Sequence, residues 1–129
     1  MRRHVTLIAA LLVTSAFAQD ATPVSSTDFA ASVGSFNGQR VAISNCEVMP
    51  YAGSDGNFSC VLKTADGLDA KDPGGLPVYV FFADSPDLQA YIAANCTSYC
   101  SSQVTITGLA ETDAATGYVK LTEVSLQPI

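Results

Sequence analysis

Arg40–Met49 reads RVAISNCEVM, and its apolar residues change phase halfway along. Val41 and Ile43 fall on odd positions, Cys46 and Val48 on even ones. In an extended chain successive side chains alternate between faces, so the two pairs share a face only if one extra residue is inserted between them. The run therefore predicts a β-strand with a bulge near Ser44–Asn45, bent sharply at that point. A strongly bent opening strand suits a closed barrel better than a flat sheet.

Downstream, NFSCVLK (57–63) alternates with Phe58, Cys60 and Leu62 inward, and PYAGSDGN (50–57) supplies a turn between the two runs. A hairpin centred near Gly53 sets Val48 opposite Phe58 and Cys46 opposite Cys60. The register that matches the apolar faces also joins the cysteines, so a Cys46–Cys60 disulfide is expected. TADGLDAKDPGGLP (64–77) is a long Gly- and Asp-rich loop, and VYVFF (78–82) is a compact strand. In DSPDLQAYIAANC (84–96), Ser85 is a helix cap, Pro86 takes the first position and Asp87 complements the dipole. Leu88, Tyr91 and Ile92 form one helix face, with Cys96 at its end. SQVTITGLAE (102–111) and GYVKLTEVSLQ (117–127) are two further strands. The last one shifts phase from Val119 and Leu121 to Val124 and Leu126, which predicts a second bulge. Ahead of all this, QDATPVSS (19–26) reads as a flexible lead. STDFAASVG (26–34) reads as a short helix capped by Ser26 or Thr27, with Phe29 and Val33 on one face and Gly34 ending it.

The expected architecture is mainly β: a short N-terminal helix, three strands, a helix, then two strands. The stretches FNGQRVAISNCEV (36–48), VYVFFAD (78–84) and VTITGLAETDAATGYVKLTEVSLQ (104–127) resemble the first, third and last two strands of small exported bacterial OB-fold proteins. The resemblance runs from Phe36 to Gln127, is one of pattern, and carries no catalytic motif. It implies a five-stranded Greek-key barrel with a helix between strands 3 and 4, and a single OB-fold-like domain over 27–129. A β-sandwich is the structural alternative, weakened by the small number of strands and by the internal helix. The two cysteine pairs and the acidic loop after the second strand depart from the family, so no ligand carries over with the fold.

The chain opens MRRHVTLIAALLVTSAFAQDA, with a basic head, an apolar run from Val5 to Phe17 and a small-x-small Ala16-Phe17-Ala18. This pattern predicts a signal peptide over 1–18, and the run is shorter than the roughly 20 residues that span a bilayer. The expected location is periplasmic or secreted, with no membrane insertion after cleavage. Arg2-Arg3 is a weak trace of twin-arginine export.

Cleavage would leave 111 of the 129 residues, and four of the six Lys+Arg against all twelve Asp+Glu, a net charge of −8. It would also remove His4, the single histidine, and with it any Ser-His-Asp, Cys-His or imidazole-metal chemistry. The cysteine spacings, with 13, 35 and 3 residues between, match no common zinc pattern. Asp66, Asp69 and Asp72 lack the alternating ligand order of a calcium loop and read as solvated turn residues. No cofactor and no metal are expected, and the chain is expected not to be an enzyme. Nucleic acid is disfavoured, because phosphate neutralisation rests on Lys and Arg.

Cys96 and Cys100 lie one turn apart. Thr97 and Ser98 are poor helix formers, so the helix should end between the thiols and let them bond as a staple between the helix and the fourth strand. A thiol–disulfide redox pair is the alternative. It would need an exposed, low-pKa thiolate, and no Lys, Arg or His lies near these cysteines in sequence.

The function expected is a non-catalytic exported binding module, with a redox protein or a structural or stress envelope protein as alternatives. OB-folds bind on the face of strands 2 and 3 and in adjoining loops. If Val78, Val80 and Phe82 face inward, Tyr79 and Phe81 stand on that outer face near Val61 and Lys63, with Tyr51 and Tyr118 in the flanking loops. Such a platform suits a neutral or basic small molecule, a glycan or a protein.

Overall fold

The computed structural model describes residues 21–113 and 116–129; the expected leader over 1–18 lies outside these residues. Six strands and two helices follow in the order β1 (Thr22–Val24), α1 (Ser26–Ala31), a 3-10 turn (Val33–Phe36), β2 (Arg40–Val48), β3 (Phe58–Leu62), β4 (Tyr79–Phe82), α2 (Pro86–Asn95), β5 (Val104–Thr112) and β6 (Val119–Pro128).

Five of the strands close a barrel. β2 pairs with β3, β3 with β4, β4 with β6, β6 with β5, and β5 returns to β2. All these pairings are antiparallel except β4–β6, where Val80 lies beside Val119 and Phe82 beside Leu121. Closure in one sheet removes the sandwich alternative. The inward phase supplies the core: Val41, Ile43, Cys46, Val48, Cys60, Leu62, Val80, Phe82, Val104, Ile106 and Leu121 are fully or almost fully buried.

Both expected bulges are present. In β2 the ladder with β5 slips between Ile43 and Cys46, and Asn45 sits there at φ 61. Asparagine tolerates this left-handed conformation better than most residues. Its side chain donates to Gln103 Oε1 at 2.8 Å, its carbonyl accepts the Lys63 N–H at 2.8 Å, and Ser26 Oγ donates to the Ser44 carbonyl. In β6 the slip faces Gly108, and Glu123 takes φ 52.

The first hairpin departs from its expected register. Cys46 lies opposite Leu62 and Val48 opposite Cys60, so the cysteines are diagonal neighbours rather than a direct pair. They are nonetheless bonded, with sulfurs at 2.08 Å. The turn explains the shift. Gly53 N–H donates to the Asn57 carbonyl at 2.8 Å, Asp55 Oδ1 accepts the Asn57 N–H, and Gly56 takes φ 83. The chain therefore reverses over Ser54-Asp55, where the Gly56 N–H donates to the Gly53 carbonyl at 3.0 Å, and Asp55-Gly56 is a stronger turn signal than Gly53 alone.

The N-terminal region is more ordered than its composition suggests. Thr22–Val24, inside the expected flexible lead, pair parallel to Val41–Ile43, and Val24 packs against the core. α1 begins earlier than expected: its cap is neither Ser26 nor Thr27 but Ser25, whose Oγ accepts the Asp28 N–H. Gly34 does not end the structure; the 3-10 turn runs through it and brings Phe36 to within 5.0 Å of the Phe29 ring. α2 follows its sequence signals: Ser85 Oγ accepts the Leu88 N–H, and Pro86 opens the first turn. Leu88 and Tyr91 are buried, and the Tyr91 hydroxyl donates to the Ser102 carbonyl. The helix ends at Asn95, Cys96 is extended, and its sulfur bonds Cys100 at 2.13 Å.

Candidate functional site: an aromatic groove beside the parallel strand pair

The acidic loop is not a loose solvated arc. It folds into two tight turns, one closed by Thr64 N–H to the Leu68 carbonyl at 2.7 Å and one by Asp72 N–H to the Leu76 carbonyl at 2.8 Å. Between them Ala70 is buried, and its N–H and C=O bond Leu62 and Val78. The aspartates serve this local architecture. Asp72 Oδ1 accepts the Leu76 N–H at 3.0 Å, and Asp69 holds Lys63 Nζ at 2.7 Å. Among the described residues no group of three or more His, Cys, Asp or Glu is arranged to hold a metal.

The second turn carries Pro73, Leu76 and Pro77 to the start of β4. There the alternation fixed by buried Val78, Val80 and Phe82 turns Tyr79 and Phe81 outward. The start of β6 lies alongside, because β4 and β6 are parallel. The connection entering β6 is closed by Gly117 N–H to the Asp113 carbonyl at 2.7 Å, with Gly117 at φ 75. That turn projects Tyr118, whose ring centroid lies 5.4 Å from that of Phe81 at a 40° tilt. Such tilted contacts are favourable aromatic geometry.

These segments and residues 31–35 enclose a half-open groove of about 810 Å3. That volume lies within the range typical of ligand sites. Leu76, Tyr79 and Tyr118 line it and remain 64%, 44% and 62% exposed, so its apolar wall faces solvent. Among the described lining residues, Asp72 carries the single formal charge.

The six expected site residues divide into two groups. Tyr79, Phe81 and Tyr118 converge on the groove. Val61 does not contribute: it shares their outward phase but is only 6% exposed, set between Glu47 and Tyr79 in the sheet. Lys63 does not line the groove either. The Asp69 carboxylate binds its ammonium and raises its pKa, with smaller help from Glu47 against a desolvation cost. Tyr51 is exposed in the connection before β3, at the opposite end of that strand from the acidic loop. Pro73, Leu76, Pro77 and Val33 also line the wall, and none is marked as a site residue by its sequence context alone. For the first three the signal is an apolar side chain with prolines on either side in the otherwise polar loop DPGGLP, whereas Val33 reads as part of a helix face with Phe29.

A shallower depression of about 300 Å3 lies beside the Cys96–Cys100 staple and is lined partly by Tyr99. Cys100 is buried, and no cysteine among the described residues is free. Compared with known proteins, this chain matches no protein-family model and no curated protein.

Proposed function

We propose that this chain is an exported, non-catalytic binding module built on an OB-fold, whose ligand seats in the groove of Tyr79, Phe81 and Tyr118. The fold assignment is supported by the strand order, the parallel β4–β6 pair and the helix between the third and fourth barrel strands. Export is supported by the leader-like opening and by two disulfides, which suit an oxidising compartment. The observation that carries the binding role is the groove itself: three aromatic side chains, two of them strongly exposed, gathered outside a core that does not need them. The ligand is neutral or basic and not a nucleic acid. Two of the four cations outside the leader, Arg40 and Lys63, are engaged with Glu123 and Asp69.

The test is a screen of neutral and cationic organic fragments against isotopically labelled protein. Amide shifts should concentrate on Val33, Leu76, Tyr79 and Tyr118. Shifts confined to the connection around Tyr51, or no saturable shift anywhere, would overturn the assignment. A redox protein acting through Cys96 and Cys100, or a purely structural protein, predicts that second outcome.

A further inference from the structure

Resting on that binding role, the chemistry of the groove wall narrows the ligand class. Among the described residues, those lining the groove include no Asn, Gln, Glu, Arg, Lys or His. Polar contacts come from Asp72 and a few hydroxyls, and one of these, Thr116 Oγ1, already accepts the Tyr118 N–H at 3.2 Å. A saccharide presents many hydroxyls, each of which loses water on binding and needs a partner. This wall has few to offer. It has rings instead: Tyr79 and Phe81 from β4 and Tyr118 from the turn entering β6, together with Pro73 and Pro77 from the loop.

Aromatic slots with sparse hydrogen-bonding groups are what a polyproline II segment needs. Its backbone is rigid before binding, so little conformational entropy is lost, and it makes no internal hydrogen bonds. Tyrosine hydroxyls at a slot's rim can donate to its outward carbonyls. The charge of the site then sets the polarity of the ligand. The single charged side chain among the described residues of the wall is a carboxylate, on a chain with twelve acidic residues against six basic ones.

We propose that the groove takes a proline-rich peptide segment in the polyproline II conformation, with a flanking arginine or lysine that meets Asp72.

The test is an NMR titration of the full chain with four probes. These are a short proline-rich peptide ending in arginine, the same peptide ending in glutamate, a glycine–serine peptide of equal length, and maltotetraose. The arginine peptide should shift the groove amides saturably and bind about two- to fivefold more tightly than the glutamate peptide, the scale of an exposed ion pair. Asp72→Asn keeps an acceptor for the Leu76 N–H and should erase that difference. Tyr118→Ala, on an exposed turn, should weaken the arginine peptide about tenfold without changing the circular dichroism. Equal binding of the glycine–serine or glutamate peptide overturns the proposal, as do peptide shifts mapping outside the groove. Maltotetraose or fragments binding the groove while the peptides do not overturns this ligand class and leaves the binding role standing. If the fragments also fail, both fall.

Discussion

Cys46 and Cys60 are bonded diagonally across the first hairpin, with Cα atoms 5.5 Å apart, while each faces an apolar partner, Leu62 and Val48. The bond therefore crosses the ladder at the place where β2 has just been bent by Asn45. It ties the bend to β3 in addition to the hydrogen bonds there.

Replacing both cysteines by alanine should accordingly be costly. Residues 46–60 form a closed loop whose cross-link is worth about 3 kcal/mol in the chain-entropy model, and both sulfurs are buried. The corresponding change at Cys96 and Cys100 opens a far shorter loop and should cost about 2 kcal/mol or less. Urea unfolding of the two double variants checks the ranking, and a larger loss at Cys96/Cys100 would contradict it.

Gly108 is the glycine the barrel cannot replace. A Cβ there would lie 2.8 Å from the Thr122 carbonyl oxygen and 3.1 Å from Leu121 Cβ, where the β6 bulge presses in. Gly108→Ala should lose about 1–3 kcal/mol by overpacking. Gly34→Ala is the control: nothing lies within 4 Å of its Cβ position, and the change should be neutral or slightly stabilising. Thermal melts of the two variants should differ by about 4–8 °C for each kcal/mol.

Tyr79→Ser with Phe81→Ser should leave the barrel folded at a cost of about 1 kcal/mol, the scale of cross-strand aromatic contacts on a sheet surface. Phe82→Ala, one residue further along the same strand but wholly buried, should cost about 3–5 kcal/mol. A double variant that melts as low as Phe82→Ala would make the outer aromatics part of the core.

Alternation in VYVFF separates the two faces of β4 but does not choose between them, since both carry apolar residues; the burial of Val78, Val80 and Phe82 makes the choice. The phase breaks at Asn45 and Glu123 are legible in the sequence, since a two-residue period tolerates no slip. Local signals also set α2, where cap, proline and acidic first turn agree. What escaped depends on longer-range chemistry. The hairpin register moved by a turn whose Asx bond outweighed the choice of Gly53 as centre. Val61 keeps an outward phase yet is covered, and alternation cannot register what lies above a face. The proline-flanked Leu76 belongs to a loop by composition and to the groove only by folding.

Lys63 gives a pH dependence of defined sign. Its hydrogen bond to Asp69 raises its pKa in the folded protein above the unfolded value of about 10.4. Its contribution is thus complete below that pH and is lost as pH climbs through the folded value. Wild type minus Lys63→Met stability should be flat from neutral pH to about 10 and shrink above it. The difference, rather than the wild-type curve, is the proper readout, because it isolates the ion pair from every group the two proteins share. A difference that shrinks between pH 5 and 9 would refute the pairing.

The two seams that shut the barrel, Arg40–Leu109 and Val80–Val119, both wait on the last quarter of the chain. During synthesis the meander of β2, β3 and β4 is complete long before β6 exists, and its outer edges have nothing to pair with. Sheets dominated by such distant pairings fold slowly, and an open edge invites the wrong neighbour. For this molecule the hazardous interval is therefore birth rather than maturity. A cut within Val119–Leu121 would return a folded protein to that interval, because these three residues pair with β4 on one side and with β5 on the other.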